Sequence, residues 1–187
     1  MRTAFAALAL LAAAGAHAEE YNTIVADKSS VAFVYRQMNV PLEGRFGKFA
    51  AQLKFDPAKP ATASVSIDID LASIDTGSAE GNDEVAGKLW FDTKSFPTAR
   101  FVATNFRALG GSRYEAVGKL TIKGRTRDVT APFAFDSRGR SGTAEGALTI
   151  KRADFAIGEG IWADFDAVAN EVQIKFRLQA EASPDKK

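Results

Sequence analysis

The chain carries one histidine, His17, and no cysteine among its 187 residues. His17 falls in the opening stretch MRTAFAALALLAAAGAHAEE, where Arg2 precedes an apolar run and Ala16-His17-Ala18 forms a small-x-small cleavage pattern. That stretch predicts a secretory signal peptide over 1–18, cut after Ala18. The cut takes the histidine with it. A mature chain without His or Cys excludes Ser-His-Asp and Cys-His catalysis, a typical zinc site, an iron–sulfur cluster and a His- or Cys-ligated haem. It also excludes disulfides and acylation of an N-terminal cysteine. Carboxylate, lysine or tyrosine chemistry and oxygen-ligated metals remain.

Carboxylates gather in three places. Asp164, Asp166, Asn170 and Glu171 in WADFDAVANE resemble the start of a calcium loop, but the sixth position lacks glycine and the twelfth lacks a bidentate Glu; a solvated loop is expected. Asp68 and Asp70 in DIDLASID alternate with apolar residues, which puts them on the wet side of a strand rather than in a glycosidase pair. Asp83 and Glu84 sit in NDE. The basic run KGRTR, with Lys123, Arg125 and Arg127, is either an anion-receiving tip or a charged hairpin end. Gln37, Met38 and Asn39 in RQMNV are placed at a channel mouth or at a strand edge.

The elements that position these groups alternate with period two. ASVSIDIDL sets Val65, Ile67, Ile69 and Leu71 against Ser64, Ser66, Asp68 and Asp70. EVQIKFRLQ sets Val172, Ile174, Phe176 and Leu178 against Glu171, Gln173, Lys175, Arg177 and Gln179. One wet and one buried face argue for an antiparallel sheet. Further strands are predicted at Val31–Arg36, Phe46–Phe55, Ala99–Phe106, Arg113–Lys123, Arg127–Phe135 and Thr143–Ile150. About eight strands suit a closed barrel whose interior holds side chains or one small ligand. A short helix is predicted within Ser78–Trp90, with Asn82 as its cap. The segment after residue 18 suits one domain, 19–187. Without Arg2 it balances 23 basic against 23 acidic residues, which gives no electrostatic case for nucleic acid or an anionic membrane. The apolar runs are shorter than the roughly 20 residues of a bilayer span.

The hexapeptide Gly-x-Leu-Thr-Ile-Lys occurs at Gly118–Lys123 and again at Gly146–Lys151. Its faces read Ala116, Gly118, Leu120, Ile122 and Ala144, Gly146, Leu148, Ile150. Both run from small to large, so two parallel-running copies predict a barrel wider at one end, with Phe133 and Phe135 of the intervening strand beside the small positions. Those rings either fill the space or line a cavity. The other inward aromatics are Phe33, Tyr35, Phe49, Phe55, Phe101 and Phe176, while Trp90, Phe91, Phe96, Phe155 and Trp162 fall in connecting segments.

VAFVYRQMNVPLEGRFGKF, LKFDP, IDIDLASIDTG, WFDTKSFPTARF, GKLTIKGRTRDV and ALTIKRADFAIGEGIWADFDAVANEVQI follow the order and spacing of the YceI-like family of bacterial periplasmic proteins. The resemblance covers essentially the whole chain after residue 18. It rests most on Phe-Asp-x-x-x-Phe-Pro-x-Ala-x-Phe at 91–101 and Gly-x-Leu-Thr-Ile-x-Gly-x-Thr-Arg at 118–127. The chain departs from the family's common pattern at Arg36-Gln37, where many members have Arg-His, and at 78–83, where many have Arg-Asp.

The resemblance implies an all-β, lipocalin-like antiparallel barrel whose apolar channel binds a polyisoprenoid, such as a prenyl lipid or a quinone tail. It further implies a periplasmic location, no cofactor beyond that ligand, and a cytochrome b561 of the membrane as a partner. Channel lining is expected from Phe33, Tyr35, Phe49, Phe55, Trp90, Phe91, Phe101, Gly118, Leu120, Ile122, Phe133, Phe135, Gly146, Leu148, Phe155, Trp162, Ile174 and Phe176. A binding role without catalysis is expected. An enzyme acting on the bound lipid through carboxylates or Tyr35, an accessory module of the cytochrome, and a homodimer stay open.

Overall fold

Strands whose side chains alternate between a wet and a dry face bury the dry face most completely by curling round on themselves. The computed structural model describes residues 19–183; the expected signal segment, with His17, lies outside the described residues. The strands are β1 (Tyr21–Ile24), β2 (Ser30–Gln37), β3 (Val40–Phe46), β4 (Phe49–Lys54), β5 (Ser64–Asp70), β6 (Ile74–Asp75), β7 (Thr98–Gly110), β8 (Arg113–Ile122), β9 (Arg125–Arg138), β10 (Ser141–Lys151) and β11 (Glu171–Ala182). Among the described residues one α-helix, α1 (Ala79–Ala86), lies between β6 and β7.

They form one 11-stranded sheet in the order β4-β5-β7-β8-β9-β10-β11-β2-β3-β6, with β1 on β11. The pairings are antiparallel. Two devices bring the ends of this curled half-barrel together. The chain leaving β5 turns once at Leu71–Ser73 and pairs again as β6 with β3, at Phe46 and Arg45. At the other end Tyr21 and Phe55, just past β4, exchange backbone bonds of 2.8 and 3.0 Å.

Three strands exceed the expected eight. β6 is only two residues long and β1 four, too short for alternation to register. β3 carries Pro41 and Gly44, residues that commonly interrupt strands. Beyond its pairing with β2 it meets β6 only at Arg45 and Phe46, so most of its other edge is free and tolerates Pro41. Gly44 makes room for the ring of its cross-strand partner Phe33, which lies where a Cβ would stand. The helix cap also differs from expectation. Ser78 Oγ accepts from Gly81 N at 3.0 Å and is the cap, whereas Asn82 Oδ1 accepts from Thr76 N and Thr76 Oγ1 at 2.7 and 2.8 Å.

The two copies of Gly-x-Leu-Thr-Ile-Lys do flank β9, with Phe135 opposite Ala144 and Phe133 opposite Gly146. At their small ends aromatic rings take up much of the interior. Phe55, Phe106, Tyr114, Phe133 and Phe135 interlock there at centroid separations of 4.8–6.2 Å. Tyr21 joins them edge-on to Phe135 at 4.9 Å. Ala103, Ala116, Ala131, Ala180 and Ala182 share this buried cluster, so the small residues are the space the rings occupy. The rings narrow this end, where Phe106, Ala116, Ala131 and Ala144 still border the cavity.

Candidate functional site

Above the aromatic plug the interior opens into a cavity of about 590 Å³. Its wall follows from the alternation of each strand. β5 contributes Val65, Ile67 and Ile69, β8 contributes Leu120 and Ile122, β10 contributes Leu148 and Ile150, and β11 contributes Val172, Ile174 and Phe176. Phe33 and Tyr35 come from β2 and Phe101 from β7, while Phe55, Phe133 and Phe135 form the floor. Trp90, Phe91 and Trp162 reach in from the loops beside α1. Burial raises the Tyr35 pKa, so its phenol holds its proton at neutral pH.

Four residues expected on this wall are not on it. A Cβ on Gly118 would stand 2.3 Å from Val102 O and 2.8 Å from Ala103 Cα, so this glycine serves close approach of β8 to β7 beside the bulge between Ala103 and Asn105. A Cβ on Gly146 would stand 2.2 Å from Pro132 O and 2.6 Å from the Phe176 ring. Phe155 is fully buried in the core over the barrel's upper end, with Leu71, Trp90 and Ile157. Phe49 opens β4 opposite Ile69 without reaching the cavity.

Polar groups on the cavity surface collect at the end bearing α1. Gln37, Thr76, Ser78, Glu80 and Glu84 form a rim, and Trp162 Nε1 donates to Glu84 Oε1 at 2.6 Å, tying the far loop to the helix. The stretches that depart from the family's common pattern, Arg36-Gln37 and 78–83, both fall on this rim or beside it.

The residue that builds the mouth was not anticipated. Arg152 is 1% exposed, and its guanidinium donates to the carbonyls of Ile157 (2.9 Å), Gly158 (2.8 Å), Trp162 (2.7 Å) and Val168 (2.8 Å). Nε reaches Ala169 O at 3.2 Å. The charge lies 5.5 Å from the centre of the Trp90 ring and 5.0 Å from that of Phe165. Burial lowers its pKa, and a shell of carbonyl dipoles replaces the lost water. One cation therefore holds the whole 157–169 segment over the barrel. The signal was in the sequence: Arg152 continues the inward parity of Leu148 and Ile150.

The charged motifs are placed as well. Lys123 Nζ donates to Lys88 O and Ala156 O at 2.8 Å each and meets Glu159 at 3.1 Å, so the KGRTR tip clamps two loops together. Asp68 pairs with Arg100 at 3.1 Å on the outer face. Asp164 Oδ1 accepts from Asp166 N at 2.9 Å, a local turn.

A single antiparallel sheet curled around an apolar cavity, with a helix at its mouth, defines a lipocalin-type barrel. The YceI-like domain model matches residues 22–180, and the chain belongs to that family. It is similar to a UPF0312 protein of Pseudomonas putida, 31% identical over 148 residues, covering 75% of this chain and 76% of that one. Among solved structures, Burkholderia cenocepacia BcnA is 50% identical with a TM-score of 0.82, covering 84% of this chain and 99% of that one. A polyisoprenoid binding domain from Saccharophagus degradans, implicated in plant cell wall breakdown, has a TM-score of 0.66 at 17% identity over 88% of this chain and 99% of that one, a likeness of fold alone. Among the described residues no helix is long and apolar enough to cross a membrane.

Proposed function

We propose that the protein is a periplasmic carrier that holds an isoprenoid lipid, or the isoprenoid tail of a quinone, in the barrel without transforming it. The observation that carries this reading is the cavity: its volume lies in the range of small-molecule sites, and its wall is apolar except at the rim. Each buried methylene contributes about 0.8 kcal/mol, so a five-carbon unit contributes about 4 kcal/mol before the costs of association. A ligand recognised this way needs no catalytic group. The carboxylates on the cavity surface, Glu80 and Glu84, stand at its exposed rim, and the protonated Tyr35 is a poor base.

The test is extraction of the protein with organic solvent after purification without detergent, compared with Leu148→Trp, which fills the cavity from its wall. Near-stoichiometric isoprenoid from the wild type and little from the folded variant is the expected result. Equal recovery from both would place the lipid elsewhere, and no lipid from either would remove the proposal.

A further inference from the structure

Seven large apolar side chains are exposed among the described residues, and five of them surround the cavity mouth: Met38, Val40, Leu89, Ile161 and Phe165. The backbone gathers them. Met38 N bonds Ala167 O at 2.9 Å, Leu89 O accepts from Gly158 N and Glu159 N at 2.8 Å each, and Phe165 lies against the Arg152 charge. Val40 faces Gln37 across the hairpin, and Gln37 is itself a rim residue. The other two, Val102 and Leu109, lie on β7.

The protruding ones stand at turn tips. Met38 has φ 48° in the two-residue turn joining β2 to β3, a position that favours Asn, Asp or Gly. Met38 is 76% exposed, and Ile161, next to the left-handed Gly160, is 82% exposed. Neither gains burial within the chain to offset its placement.

We infer that this apolar collar is a membrane-docking surface, which seats the mouth on the apolar layer of a bilayer. The inference rests on the carrier reading in one respect: an isoprenoid that water does not dissolve must cross between membrane and cavity, and the collar is continuous with the cavity's rim. Isolated apolar tips around an opening are suited to insertion among lipid headgroups. The charge around them selects the surface. With Glu159 paired to Lys123, the exposed Glu80, Asp83, Glu84, Asp164 and Asp166 still outnumber the exposed Arg36, Lys88 and Arg125, so an anionic surface is disfavoured relative to a zwitterionic one.

The experiment is flotation of the full mature protein with vesicles of phosphatidylcholine, and with vesicles containing one third phosphatidylglycerol. The protein is expected to float with the first, to float less with the second, and to lose that difference at high salt. Met38→Ser with Ile161→Ser is expected to lower the vesicle-bound fraction at least about tenfold, whereas Val102→Ser with Leu109→Ser leaves it unchanged. A protein that stays unbound, a mouth variant that floats like the wild type, or preference for the anionic vesicles would overturn the inference. A dimer in solution that only the mouth substitutions dissolve would overturn it in favour of a second copy as occupant. Quenching of tryptophan emission by geraniol, without vesicles, reads the cavity separately. Binding of geraniol without flotation defeats docking alone, and flotation without geraniol binding defeats the carrier reading alone.

Discussion

The two ends of the barrel draw on similar residues and close in opposite ways. At the floor, Phe55, Phe106, Tyr114, Phe133 and Phe135 meet mostly ring edge to ring face, and the alanines around them leave room for each ring. At the mouth, Trp90 and Trp162 stand 5.6 Å apart, but no ring network fills the centre. Loops cover it instead, held by the buried Arg152 guanidinium and by Lys123. Side chains pointing into the middle make a core, whereas backbone folded over the top makes a lid with space beneath it. A floor built from interlocked rings is rigid; a lid built on one cation is where the chain can yield.

Removing that cation should therefore separate the lid from the floor most strongly. Arg152→Met leaves the carbonyls of Ile157, Gly158, Trp162 and Val168 without their charged donor, and the unfolding free energy is expected to fall by at least about 3 kcal/mol in urea titrations. Amide exchange should quicken first in 157–169 while β8 and β9 stay protected. Uniform loss of protection would mean that the lid and the floor are one cooperative unit.

Next come the glycines. Gly118→Ala and Gly146→Ala place a methyl group against backbone carbonyls, with an expected cost of about 2 kcal/mol each and no change in ligand occupancy. Their effect should sort with packing of the wall, not with the cavity. Stable variants with reduced occupancy would return both residues to the channel.

Those glycines mark where reading the sequence stops. Alternation in ASVSIDIDL and EVQIKFRLQ gave the correct inward faces, because burial of one face is a local and periodic demand. The same parity put Gly118 and Gly146 inside but carried no information on what stands opposite, and the close approach at Gly118 depends on a bulge in β7 that alternation does not encode. β3 was missed because Pro41 and Gly44 are breakers only where a strand needs both edges and a side chain at every position. The aromatic floor was one of two outcomes the pattern allowed, since rings that fill and rings that line look alike until the volumes around them are known. Arg152 was legible by parity yet passed over, because a charge on an inward face is informative only once the carbonyls that surround it are in place.

The smallest expected effect appears in alkaline solution. Burial is the first cause that raises the pKa of Tyr21, Tyr35 and Tyr114 above 10.0, with Glu19 adding to the first and Asp56 to the last. A raised folded-state value means that the contribution of these phenols is complete below pH 10 and is lost as pH rises through their folded pKa values. Stability followed by circular dichroism should thus stay level to about pH 9 and decline above 10. Tyr114→Phe should shrink that decline by acting on the floor, and Tyr35→Phe by acting on the wall. Stability independent of pH up to 11 would show that the phenols ionise freely in the folded barrel.

The proposed carrier role requires that the space between the aromatic floor and the loop-covered mouth hold an apolar chain. Electron density inside the barrel of protein purified without detergent decides this. The expected result is continuous elongated density that starts at the Gln37 and Glu84 rim, passes between Ile67 and Leu148, and stops above Phe133. Water peaks alone in that space, or walls collapsed until Ile67 touches Leu148, would contradict it.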